Sequence, residues 1–167
     1  MEIRAERPEE AAAIAAVHEQ AFPQPAEARL VEALRAAGAA ALSLVAVRDG
    51  AVVGHVLFSP VTVHDGDGAW PALGLGPVAA LPALQRRGIG SALIREGLAR
   101  CRAQGHCVVF VLGHATYYPR FGFRPAAPEG LRWEHGHDES FFVAELAPGA
   151  LAGRRGIVRY RPEFTAG

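Results

Sequence analysis

The strongest constraint on this chain lies between Ala72 and Leu112. There an apolar strand (to about Ala80), a turn rich in arginine and glycine, an amphipathic helix and a second apolar strand follow one another. From Ile89 to Arg102, at about 100° per residue, Ile89, Gly90, Leu93, Ile94, Gly97, Leu98 and Cys101 fall on one half of the circumference. Only Arg100 intrudes, near the edge of that arc. Gly105 ends the helix, and the unbroken apolar run HCVVFVLG predicts a strand buried on both faces.

The rest of the chain supplies a sheet around this unit. EIRAER reads as a short strand, and Pro8 then opens a helix reaching about Ala21. A second helix covers AEARLVEALRAAG, with Gly38 as its stop. LSLVAVRDGAVVGHVLFSPVTVHDGDG predicts two strands turning at Asp49-Gly50, with a further turn at HDGDG. After HCVVFVLG come an aromatic segment, TYYPRFGF, and a strand pair around FFVAEL and GIVRY. The predicted order is β-α-α-β-β-β-α-β-α-β-β, a mixed α/β (α+β) sheet in one domain spanning 1–167.

Composition excludes several classes. Half the residues are apolar and the formal charges cancel, which argues against a disordered chain and against a nucleic-acid binder. All seventeen Lys or Arg positions are arginine, so side-chain lysine chemistry is excluded. No apolar run approaches the roughly 20 residues of a membrane helix, and the charged start lacks the pattern of a secretory signal. Cys101 and Cys107 lie in apolar sequence and read as small buried thiols in a reducing compartment. The expectation is a cytoplasmic protein with no membrane or nucleic-acid partner.

Arginine and glycine at the start of a helix suggest a phosphate, and three sites compete for them. A Walker loop requires lysine and is excluded. GLGPVA (Gly74–Ala79) matches a dinucleotide fingerprint, but that motif must turn from strand into helix, and here Pro77 and Pro82 intervene. The third site is Gln85-Arg86-Arg87-Gly88-Ile89-Gly90-Ser91. Glycines at 88 and 90 let backbone N–H groups approach a pyrophosphate, the helix dipole favours the anion, and Arg86 and Arg87 add charge. Ser91 adds a hydroxyl. Pro77 cannot donate to a ladder, so strand pairing is expected to loosen there. The backbone of Val78, Ala79 and Ala80 would then take an extended ligand bearing amides as a pseudo-strand. Coenzyme A has both a pyrophosphate and a two-amide pantetheine arm.

At these residues the chain resembles the GNAT superfamily of acetyl-CoA-dependent N-acetyltransferases. GPVAALPALQRRGIGSALI is similar to the family's acetyl-CoA motif, and YYPRFGF to its later Tyr-x-x-x-Gly-Phe signature at Tyr118 and Gly122-Phe123. The ending GALAGRRGIVRYRPEF resembles small bacterial members. The resemblance implies a GNAT-type acyl-CoA N-acyltransferase fold with splayed central strands, and acetyl-CoA as cosubstrate. It also implies direct attack by a primary amine, a small molecule or peptide, in a ternary complex. Tyr118 would be the general acid, and a backbone N–H near Ala80 would polarise the thioester. A thiol near pKa ~8.5 and a tyrosine near ~10 are compatible with that proton transfer.

Where many members carry an asparagine before that tyrosine, this chain has GHAT, with His114 and Thr116. That departure keeps a second reading open, an acyl-CoA-binding sensor that has lost its chemistry. The base is not legible. His55 faces either cleft or core, the locally bonded core histidine being preferred, and Glu32 reads as a surface acid. His135 and His137 in WEHGHDE lack a third metal ligand and read as a polar turn, or as part of the acceptor site. No metal is expected. The acceptor is open, and a homodimer through the C-terminal strands is compatible with the sequence.

Overall fold

The computed structural model of the chain describes residues 1–165. Among them are nine strands: β1 (Glu2–Ala5), β2 (Leu42–Arg48), β3 (Ala51–Asp65), β4 (Gly68–Ala80), β5 (Val108–Leu112), β6 (Arg124–Pro125), β7 (Leu131–Trp133), β8 (Phe141–Glu145) and β9 (Gly156–Arg159). Three helices join them: α1 (Ala11–Ala21), α2 (Ala26–Ala36) and α3 (Ile89–Ala103). β4 pairs with β5 and β7 with β9 in parallel, and the other ladders are antiparallel, so the sheet is mixed as expected. The chain divides into two compact units, Met1–Ser59 with Gly76–Ala99 and the stretch from Pro162, and Pro60–Leu75 with Arg100–Arg161.

In the first unit β1, β2 and the inner half of β3 form an antiparallel ladder, Glu2 opposite Val47 and Arg48 opposite Ala51. Asp49 and Gly50 close the hairpin with φ of 52° and 78°, the paired left-handed turn that Asp-Gly favours. Register puts Ser43, Val45, His55 and Leu57 on one face. Val45 and Leu57 pack there with Ile14 of α1 and with Val31 and Leu34 of α2. Gly54 and Phe58, on the opposite face, carry α3. A Cβ at Gly54 would stand 2.7 Å from Ile89 Cγ2, and the Phe58 ring fills the place a side chain at Gly97 would need. Two bare Cα atoms, one on the strand and one on the helix, thus set how closely α3 lies.

His18 and His55 are fully buried between α1 and β3. His18 Nε2 is 2.8 Å from His55 Nδ1, and His55 Nε2 is 2.7 Å from Ser43 Oγ. His18 Nδ1 is buried with no hydrogen-bond partner. That fixes the direction of the chain of bonds. If His18 Nε2–H donates to His55, and His55 Nε2–H to Ser43, only a lone pair is left at Nδ1; the reverse would strand an N–H. Burial pushes His18 down to about 4 and His55 well below its usual value, with His18 and Arg35 adding to the latter. The preferred reading of His55 as a locally bonded core residue holds.

In the second unit Leu73–Leu75 of β4 pair with Val109–Val111 of β5, β5 pairs with β8, and β8 with β6. The outer half of β3 pairs with β9, which carries β7. Val61, Val63, Phe110, Phe141, Val143 and Val158 form its core, with the Phe110 and Phe141 rings stacked at 5.3 Å.

Four expectations need correction. The strands around FFVAEL and GIVRY both exist, but β8 joins β5 and β6 whereas β9 joins β3 and β7. No helix follows β5. A single 3-10 turn, Tyr118–Phe121, stands there, because Pro119 lacks a donor and Gly122 (φ 92°) ends it at once. β6 and β7 were not anticipated, since two or three residues show no alternation. Cys107 is exposed, one residue ahead of the β5 ladder, whereas Cys101 is buried and its thiol pushed up to about 12.

Gly97→Val forces the Phe58 ring aside, and should destabilise the protein by about 2 kcal/mol, lowering the thermal midpoint by roughly 6 °C. The histidine pair makes stability depend on pH. Unfolded imidazole titrates near ~6.5, so the pair's contribution is complete above that pH. It is lost as pH falls toward about 4, because the unfolded chain takes up protons the native one refuses. Urea midpoints between pH 7 and 5, above the range of ordinary carboxylates, should record a loss on the order of 2 kcal/mol.

Candidate functional site

β4 runs unbroken through GLGPVA, so those glycines form no strand-to-helix turn, and the dinucleotide reading fails. Gly74 has another use: a Cβ there would lie 2.8 Å from the Tyr160 ring. Gly76 follows with φ 138°, then Pro77, which has no N–H. Val78 and Ala80 are half-buried and Ala79 buried. The Ala79 carbonyl lies toward Gly54, and Leu81 N–H donates to Val53 O at 2.9 Å, fastening the end of β4 to β3.

Beyond β4 the chain turns tightly. Leu84 N–H donates to Leu81 O at 2.9 Å, and Gln85 N–H to Pro82 O at 3.3 Å. The Gln85 side chain reaches back, its Nε2 donating to Ala80 O at 3.3 Å. Of the residues singled out in the sequence, Gln85 therefore acts on the loop itself. Arg86 (φ 66°) and Gly88 (φ 80°) are both left-handed, with Arg87 between them, and all three are exposed. Such alternation turns successive N–H groups toward one side, an arrangement that favours anions.

α3 starts immediately afterward. Ala92 N–H donates to Gly88 O at 2.9 Å, so the helix ladder begins at Gly88 and leaves the Ile89 and Gly90 amides with no acceptor inside the helix. Ile89 is buried against Gly54, which fixes the helix start on the strand while the arginines stay in water. The 15-residue helix directs the positive end of its dipole at the same turn. Arg86 and Arg87 add two guanidinium groups, and Ser91 is half-buried in the first turn. The structure thus brings Val78–Ala80 and Gln85–Ser91 together in one unit as a cradle suited to a phosphate-bearing ligand.

Tyr118 belongs to the other unit. Its ring is buried over Gly113, where a Cβ would collide with it, and meets Tyr117 and Phe123 edge-on at 5.1 and 5.8 Å. Burial, helped by Tyr117, pushes its hydroxyl up to about 12, a weaker acid than the free side chain from which the sequence argument started. His114 is exposed and contributes through its carbonyl, which accepts Tyr117 N–H at 3.1 Å and Tyr118 N–H at 3.4 Å.

Arg120 was missed in the sequence. Its guanidinium bonds Tyr117 O at 2.9 Å and Thr116 O at 3.3 Å and stands 4.7 Å over the Tyr117 ring, locking the turn. Only its proximity to two tyrosines hinted at that. Glu32 is exposed. His135 and His137 flank Trp133 at 4.7 and 5.7 Å between ring centres, and their nearest carboxylates are Glu134 and Glu139. No cluster of three metal-binding side chains occurs among the described residues.

A family model described as the GNAT acetyltransferase domain matches residues 2–126. The uncharacterized N-acetyltransferase YhbS of Escherichia coli K12 is 40% identical across 98% of this chain and 98% of its own. A crystal structure of E. coli YhbS in complex with CoA superposes with a TM-score of 0.93 at 38% identity, covering 98% of this chain and 91% of that one. A GNAT family acetyltransferase from Brucella melitensis in complex with acetyl-CoA gives 0.81 at 41% identity, covering 98% and 97%.

Gly113→Ala should overpack Tyr118 and destabilise the protein by about 1–3 kcal/mol, read from urea unfolding. The near-ultraviolet circular dichroism of the tyrosines should change with it.

Proposed function

The chain belongs to the GNAT acetyltransferase family, and on that premise we propose that it transfers the acetyl group of acetyl-CoA to a primary amine, by direct attack in a ternary complex. The whole chain acts as one acetyltransferase domain. The amides of Gly88, Ile89 and Gly90 receive the diphosphate, with Arg86 and Arg87 against its charge and the Ser91 hydroxyl beside it. Val78, Ala79 and Ala80 offer backbone groups to the pantetheine amides, and the Ala80 N–H polarises the thioester carbonyl. Gln85 steadies this stretch by holding the Ala80 carbonyl.

The observation that carries the proposal is the exposed Arg86–Gly88 turn at the start of α3, with two left-handed residues in three. The CoA and acetyl-CoA complexes of the two similar proteins support the same reading. The amine nitrogen bonds to the carbonyl carbon as the carbon–sulfur bond breaks, and the electron pair leaves with sulfur. Tyr118 donates its proton to that sulfur, and the proton lost by nitrogen passes to water. A hydroxyl at about 12 stays protonated at neutral pH, so it is a ready hydrogen-bond donor. It is nevertheless a reluctant acid toward a thiolate near ~8.5, and full transfer is expected only as the bond to sulfur breaks.

The same raised hydroxyl favours the second reading, an acyl-CoA sensor, and one assay separates them. With acetyl-CoA and a library of amines the enzyme releases free thiol, whereas a sensor binds coenzyme A and releases none. Tyr118→Phe should lower kcat at least about tenfold with KM for acetyl-CoA nearly unchanged. Replacing Arg86 and Arg87 together by glutamine should raise that KM several-fold and spare kcat. Unchanged turnover in Tyr118→Phe removes the assigned role.

A further inference from the structure

A cavity of about 680 Å³ opens in the first unit, where the start of α2 meets the C-terminal turn Pro162–Thr165. Its size lies within the range of small-molecule sites. Pro25, Leu30 and Phe164 give it apolar walls, and Glu27, Arg29 and Glu163 bring charge. The apolar part is firmly held, since Leu30 and Phe164 pack against the core formed by Ile14, Val31 and Leu34.

The informative atom is Glu27 Oε2. It is shut off from solvent and has no hydrogen-bond partner. A carboxylate in the first turn of a helix is favoured by the dipole, which explains the residue type, but the dipole gives this oxygen no donor. A buried carboxylate oxygen without a donor calls for one. Two carboxylates and one guanidinium leave the charged lining at a net −1, which a single ammonium neutralises.

We propose that this cavity binds a small organic monocation, a primary ammonium on a hydrocarbon body, with its N–H donating to Glu27 Oε2 and its apolar part lying on Pro25, Leu30 and Phe164. Arg29 works against a second positive charge, so monoamines are preferred to polyamines. The inference goes beyond acetyl transfer and is tested without acetyl-CoA.

Isothermal titration of the intact chain at pH 7 with n-hexylamine is the direct test, with n-hexanol and spermidine as controls. Hexylamine should bind saturably, and hexanol and spermidine each at least about tenfold more weakly, a difference set by the one ammonium. Glu27→Gln should weaken hexylamine by a similar factor while leaving the thermal midpoint near that of the parent. Arg29→Gln should narrow the gap between hexylamine and spermidine. Absence of saturable hexylamine binding overturns the proposal. So do equal binding by Glu27→Gln, and hexanol binding as tight as hexylamine, which would mark a merely apolar hole.

Discussion

The close approach of α3 to β3 is the constraint on which the rest of the first unit depends. Gly54 on the strand and Gly97 on the helix let Ile89, Leu93 and the Phe58 ring meet with no Cβ between them. Burying Ile89 at the first residue of the helix fixes where the helix begins. Because the first amides of a helix have no acceptor within it, fixing that point also fixes where donors gather. The Arg86–Gly88 turn then presents its charges to solvent, while the residue immediately after it is anchored in the core. An anion cradle in a loop would be mobile; tied to a packed helix start, it is preorganised.

The opposite face of the same strand uses a different device. His18, His55 and Ser43 form a hydrogen-bonded line inside an otherwise apolar layer of α1 and β3. The line is stable only while both imidazoles are neutral, and the desolvation that keeps them so is the burial that holds α1 against the sheet. One face of β3 therefore sets helix distance through shape, and the other ties a helix down through protonation state.

Tyr118 shows packing and chemistry in tension. Gly113, Tyr117, Phe123 and the turn locked by Arg120 hold its ring with little freedom. That confinement orients the hydroxyl, and it also withdraws it from water and weakens it as an acid. In a family that commonly carries asparagine before this tyrosine, the chain here uses the His114 carbonyl to place the turn, a contact that needs no particular side chain.

Elements whose pattern is local were legible in the sequence. The α3 arc, the Asp49-Gly50 hairpin, the Gly38 and Gly105 helix ends and the Gln85–Ser91 turn follow from periodicity, left-handed tolerance and missing side chains, properties that belong to a few neighbouring residues. Strand partners were not legible: β8 and β9 are neighbours in sequence, yet each completes its ladder with distant strands. The direction His55 faces, the exposure of Cys107, the 3-10 turn in place of a helix and the acidity of Tyr118 were decided only by tertiary structure. Each depends on which distant atoms remove water from a group, and spacing along the chain carries no record of that.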